Sequence, residues 1–362
     1  MPQKKDFIMF VGSYSEATET GVHVFSLDAD TGALNEIGDA QGFRNMCFLD
    51  VDHVNRRVYA VAETEAGEDQ RALAVAFSFD PASGQLSPLN SQESVGQATC
   101  HIHVNPVDRY VLASSYSGGM IGMLPVDEDG KLAPRSDMHA HLGAGEHPTR
   151  QDRSHVHSAY VDESRRFIYV ADLGIDRIKV YTADTENWKL VPVGEAVAHP
   201  GSGPRHMAFH PTKPYVYVIN ELNATLTAYL KDEESGMLCE IHTISTLPED
   251  ISAEVREGNS CAEIQISPDG RFVYGSNRGH DSIAVYAVNE ASGRLTLVEI
   301  AQSLGQRPRS FAISPDGRFL IAAHQDTANV VVFRIDADTG RLQDTGHRAE
   351  VEKGVCVRFW NS

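Results

Sequence analysis

The chain has 362 residues, with 50 acidic against 31 basic side chains and a formal charge of −19. So acidic a surface repels both a phosphate backbone and an anionic bilayer, which excludes nucleic acid and membrane as expected partners. A small anion stays open as a ligand, because a local arginine cluster outweighs the global field inside a narrow pocket.

The apolar run over residues 7–11, after Lys4 and Lys5, is too short for the core of an export signal. No stretch reaches the roughly 20 apolar residues of a membrane span. The five cysteines are an odd count with no close pair, the pattern of free thiols in a reducing compartment. The expectation is a cytoplasmic protein.

Residues 7–12 read as the first strand of a repeat, with a turn at Thr31-Gly32-Ala33-Leu34. Degenerate copies of one unit follow at residues 52–59, 105–112, 162–169 and 210–217. Two near-identical copies, Ser-Pro-Asp-Gly-Arg-Phe, then stand at residues 267–272 and 314–319. Each leads into an apolar strand, a polar loop, a second apolar strand and a turn such as Ser292-Gly293-Arg294-Leu295 or Thr339-Gly340-Arg341-Leu342. Aligned on Arg57, Tyr110, Phe167, Tyr215, Phe272 and Phe319, the units recur every 47 to 57 residues, near the blade length of β-propellers. Alternation along Ile283, Val285 and Tyr286 fits half-buried strands, and no amphipathic helical stripe appears.

Within a unit, strand A runs into the Pro-Asp-Gly type of turn, B is the aromatic-led run, and C and D flank the Thr-Gly type of turn. The first unit lacks its A, while the chain ends on an apolar run, residues 354–360, that has no following B. The predicted fold is therefore all-β: one seven-bladed β-propeller domain over residues 1–362, closed by pairing the C-terminal strand with the first blade. Closure removes the open edges that a β array must otherwise hide.

Antiparallel strands put the start of A and the end of B on one rim. At that register the later units place Cys100 with Tyr116, His157 with Asp172, Arg205 with Glu221, Ala262 (beside Glu263) with Arg278, and Arg309 with Gln325, separated by 15 or 16 residues. His101 and His206 stand next to two of the A-starts. Independent units that place ionic groups at one register mark a site at the channel mouth. Each group also has a bland reading. Arg205–Glu221 can be a clamp between strands, His157 a packed core histidine with His155 facing the other way, and His101 and His206 channel packing. Asp172 can cap its loop or pair with Arg177. Cys47, Cys100, Cys261 and Cys356 lie near A-starts on separate blades, without the close spacing of zinc ligands, and read as small buried hydrophobes. His139 and His141 read as a solvated pair, so no metal site is expected. No glycine-rich phosphate loop or Gly-x-Ser-x-Gly elbow is present.

At these residues the chain resembles the lactonase seven-bladed propeller family, which includes propeller-type 6-phosphogluconolactonases and fungal carboxymuconate cyclases. The matching stretches are Tyr116-Ser117-Gly118-Gly119, Arg150-Gln151 leading to Ser154-His155-Val156-His157-Ser158, and Asp172-Leu173-Gly174 through Arg177. Gly203-Pro204-Arg205-His206 with Phe209-His210-Pro211, Asn220-Glu221-Leu222 and Asn277-Arg278 extend the match over nearly the whole chain. Ser115 and Thr99 depart from the Asn and Pro common in the family. The resemblance implies a pocket without metal or cofactor in which His157, Arg205, Glu221 and Arg278 are catalytic, with His101, His206, Arg309 and Gln325 as substrate contacts. It implies hydrolysis of a small anionic sugar lactone in carbohydrate metabolism, with 6-phosphogluconolactone the leading expectation. Two alternatives stand beside it: a carboxymuconate-type lactonizing cyclase and a non-catalytic binding module. Either His157 or Glu221 serves as the base that activates water.

Overall fold

The structure is a computed structural model that describes residues 6–67, 70–96 and 98–360. The described strands form seven four-stranded antiparallel sheets. Six blades run in chain order, with inner strands Leu49–Asp52, Thr99–Asn105, Val156–Val161, Pro204–Phe209, Ser260–Ile266 and Pro308–Ile313. The first blade takes its inner strand from the other end of the chain. Gly354–Phe359 pairs antiparallel with Phe7–Ser13, Met9 opposite Phe359 and Val11 opposite Val357. The propeller and its closure are as the repeat implies. Among the described residues the one α-helix is the short Ala253–Gly258.

The turns follow from their residues. Ser267 Oγ donates to Asp269 (2.6 Å) and accepts from the Phe272 amide (3.0 Å), and Gly270 takes φ +75°. The second copy repeats this at Ser314, Asp316 and Phe319. A positive φ favours glycine, which has no Cβ to clash.

The anchor positions of the repeat hold neighbouring blades together. A Cβ added to Gly236, Gly293, Gly340 or Gly32, each at positive φ, would meet the ring of Phe167, Tyr215, Phe272 or Phe319 at 2.4 to 2.7 Å. Each glycine lies in the outer turn of the blade after the one that carries the ring. Two residues beyond three of these anchors, a buried tyrosine hydroxyl donates to the carbonyl of the same glycine: Tyr169 to Gly236 (2.8 Å), Tyr217 to Gly293 (3.2 Å) and Tyr274 to Gly340 (2.9 Å). Tyr59 reaches Gly130 (3.1 Å) in the same way. The core is correspondingly a ring of interfaces between blades. Phe272, Tyr274, Ile283 and Val285, for example, pack on Phe311, Leu320, Val331 and Phe333. Each such fully buried side chain contributes about 1.5–3 kcal/mol.

One irregularity recurs where the inner strands begin. The ladder register shifts between Thr99 and His101, Val156 and Ser158, Pro204 and His206, Cys261 and Ile264, and Pro308 and Ser310. The skipped residues are Cys100, His157, Arg205, Ala262 with Glu263, and Arg309. A β-bulge leaves its extra residue unpaired and re-aims its side chain. Bulges therefore set the residues on the channel.

Candidate active site

The inner-strand starts and second-strand ends converge on a cavity of about 440 Å³ at one end of the channel. Its wall carries His157, Glu221, Arg278 and Arg309 from four different blades, together with Tyr14, Cys47, Cys100, Tyr116, Arg150 and Arg307.

Glu221 is the hub. Arg150 Nη2 donates to Oε1, Arg205 Nε donates to Oε2 at 2.9 Å, and Arg278 Nη2 lies 3.1 Å from Oε2. Burial works against its charge, but Arg278, Arg205 and Arg150 outweigh it and hold the carboxyl well below the usual carboxylate range. A carboxylate this stabilised is a weak proton acceptor. Arg278 is also fixed by the carbonyls of Ser260 and Cys261, and burial lowers its pKa to about 9, still cationic at neutral pH.

His157 is 4% exposed, and its buried Nδ1 has no hydrogen-bond partner among the described residues. Burial, then the charge of Arg205, push its pKa well below 6.5, so the imidazole is neutral. Tyr116 stands edge-on at 5.8 Å.

Opposite, the Arg309 guanidinium lies 5.7 Å over the Tyr14 ring and has no ion pair among the described residues. Arg307 makes a loose contact, 3.7 Å, with Asp326. Arg150 rides on the connection between blades three and four, where its Nε and Nη2 donate to Tyr116 Oη at 3.2 and 3.1 Å. The wall thus carries four arginines against two carboxylates, Glu221 and Glu63, and Glu63 is already bound by Arg44 at 2.8 Å. The cavity is a cationic pocket in an acidic molecule.

The placement of the expected residues differs in several respects. Arg205 sits behind Glu221, 3% exposed at its side chain, and supports the wall from beneath. His206 and His101 lie deeper in the channel: His206 donates to Glu263, and the His101 ring lies tilted 4.3 Å from that of Phe48 and lines a hollow on the far side with Arg358. A bulge sets its own residue toward the cavity end and the next residue into the channel below, so these two imidazoles do not form part of the wall. Gln325 is also outside it, in a separate groove with Asp326 and Lys353. Asp172 is fully buried and accepts from Ser154 Oγ (2.6 Å), His141 Nδ1 (2.8 Å) and the His155 amide (2.8 Å), whereas Arg177 pairs with Glu195. His141 is accordingly buried rather than solvated. His155 stacks on Tyr116 at 4.3 Å. Cys261 and Cys356 are buried as expected, but Cys47 and Cys100 open onto the cavity, with burial raising their thiols to about 12 and about 11. Among the described residues no cluster of three or more His, Cys, Asp or Glu is arranged to hold a metal ion.

Arg150, Arg307 and Tyr14 had no predicted role. Tyr14 carries a legible signal: Ser13-Tyr14-Ser15 ends its strand as Ser115-Tyr116-Ser117 ends its own. Arg150 and Arg307 are loop residues, and nothing in the repeat places them.

The sequence matches the family described as "Lactonase, 7-bladed beta-propeller" over residues 8–359. It is 36% identical over 305 residues to a 6-phosphogluconolactonase of Bacillus subtilis, covering 84% of each chain. A 6-phosphogluconolactonase of Formosa agariphila is 32% identical over 311 residues, covering 84% of this chain and 85% of that one. Among solved structures, the periplasmic gluconolactonase of Pseudomonas aeruginosa superposes with a TM-score of 0.91 at 28% identity, over 98% of this chain and 99% of that one.

Proposed function

This chain belongs to the seven-bladed β-propeller lactonase family, and from that premise we propose that it hydrolyses 6-phosphogluconolactone, with His157 as the base. The observation that carries the assignment of the base is the contrast inside the cavity. His157 is neutral with a free ring nitrogen, whereas Glu221 is held as an anion by three guanidinium groups.

In this reading the substrate phosphate lies against Arg309 and Arg307, the two arginines of the wall without a close carboxylate partner among the described residues. The lactone carbonyl then points toward Arg278 and Arg150, whose N–H groups stabilise the oxyanion as it forms. His157 takes a proton from water as the new C1–O bond forms. The imidazolium returns it to the ring oxygen as the C1–O5 bond breaks, leaving an open-chain carboxylic acid. Glu221 keeps the arginines in place. No metal or cofactor takes part in these steps.

No described helix is long and apolar enough to cross a membrane. We place the enzyme in the cytoplasm because a phosphorylated lactone does not cross a bilayer unaided.

Proton release from 6-phosphogluconolactone, measured above its spontaneous hydrolysis, tests the assignment, with unphosphorylated gluconolactone and a carboxymuconate run alongside. The expected result is acceleration with the phosphorylated lactone that His157→Asn cuts by about 100-fold or more, with KM little changed. Absence of acceleration, or a His157→Asn enzyme of full activity, overturns it.

A further inference from the structure

Below the cavity wall, polar groups continue along the channel where small apolar ones would pack at lower cost. Arg205 holds Glu221 through Nε, while its Nη1 faces the Ala262 carbonyl and, at 3.3 Å, His206 Nε2. A guanidinium has no lone pair to offer, so His206 Nε2 must be the acceptor and the ring proton must sit on Nδ1. Nδ1 lies 3.0 Å from Glu263 Oε1 and donates to it. Glu263 is itself tied down: Oε1 accepts from the Ile264 amide (3.1 Å), and Oε2 accepts from Ser310 Oγ (3.3 Å) with Arg358 at 3.7 Å.

The side chains of Arg205, His206 and Glu263 are 3%, 2% and 1% exposed. Burying a carboxylate costs several kcal/mol before its partners offset it. The bulge in blade six frees two residues rather than one, and the second of them is Glu263. The result is one chain of hydrogen bonds that runs outward from Arg205, which donates to Glu221 on one side and to His206 on the other, with His206 donating on to Glu263; it joins the inner strands of blades five and six to the hub of the cavity. The tautomer at His206 follows from its neighbours.

We infer that His206 and Glu263 are a positioning pair for the catalytic cavity, acting through Arg205 and touching no substrate. Arg205 meets the Glu221 oxygen that Arg278 also contacts, and the other Glu221 oxygen holds Arg150. A rotation of the Arg205 guanidinium therefore moves the hub on which both oxyanion donors rest. The His206 ring also packs 5.1 Å from His157, so the pair sets the floor beneath the base as well. The rate consequences of this inference rest on the lactonase reading above; the tautomer does not.

The test has two parts. Nitrogen-15 NMR of the histidine rings, with His206 assigned by its loss in a variant, is expected to show a proton on Nδ1 and a bare accepting Nε2. A proton on Nε2 overturns the inference, and this result holds whether or not the protein hydrolyses a lactone. In kinetics, His206→Phe keeps a ring but offers Arg205 no acceptor, and is expected to lower kcat about 10-fold or more with KM within about threefold. His206→Gln, which restores an acceptor, is expected to recover most of that loss. Glu263→Gln keeps the acceptor for Nδ1–H but removes the charge, and is expected to fall between them. If His206→Phe does not fold, Glu263→Gln decides. Wild-type kcat in either folded variant overturns the inference, and an inactive wild-type enzyme with the expected tautomer removes the lactonase reading alone.

Discussion

At the scale of single residues, the cavity separates its cations by what they are bound to. Arg150, Arg205 and Arg278 share Glu221, whereas Arg309 lies on Tyr14 without a carboxylate. A phosphate that meets Arg309 has no internal ion pair to displace. Arg309→Gln is accordingly expected to raise KM for the phosphorylated lactone about 10-fold, a loss of the size of one charge-assisted contact, and to leave turnover of unphosphorylated gluconolactone nearly unchanged. Equal loss on both substrates, in parallel assays, rules out the phosphate role. Residue types and a shared register were enough to bring out His157, Glu221, Arg278 and Arg309 from sequence. They were not enough to rank His157 against Glu221 as base, because that choice depends on burial and on how closely Arg278, Arg205 and Arg150 approach Glu221, which a shared register does not give.

At the scale of the element, the repeat was legible because its anchors do the same packing in blade after blade, a ring of one blade on a turn glycine of the next. Tyr274→Phe removes the hydroxyl that meets the Gly340 carbonyl and is expected to cost about 1 kcal/mol. Gly340→Ala is expected to cost more, about 2–4 kcal/mol, since it adds a Cβ at φ +74° 2.4 Å from the Phe272 ring. Urea denaturation of the two variants orders them; a milder effect at Gly340 would contradict the packing described. The bulges were not legible. An extra residue in a strand leaves no mark in apolar alternation this short, so Cys100 and His101, or Arg205 and His206, looked like neighbours on one rim. In the folded chain they occupy successive depths.

At the scale of the whole molecule, the buried histidines of the channel and its mouth tie stability to pH. His101, His157 and His206 are buried, and burial, followed by nearby positive groups, lowers each pKa well below 6.5. The folded state leaves them neutral, while the unfolded chain protonates them below about pH 6.5. Their contribution to stability is therefore complete above that pH and is lost as pH falls toward their folded pKa values. The slope is about 1.4 kcal/mol per pH unit for each histidine, or about 4 for the three together. Glu263, whose carboxyl burial pushes up, acts in the opposite sense with one proton against three. Thermal melts from pH 7.5 to 5 are expected to show Tm falling throughout the acid half of the range, and a flat profile would contradict neutral burial of the three rings.

Closure of the first blade by Gly354–Phe359 has a consequence for how the protein comes into being. Tyr14 belongs to the strand pair that this segment completes, and Arg309, which it faces, lies in the last blade. The cavity straddles the seam where Gly354–Phe359 meets Phe7–Ser13. During synthesis the wall stays unfinished until Gly354–Phe359 has left the ribosome, so a chain terminated before that segment has blades but no working pocket.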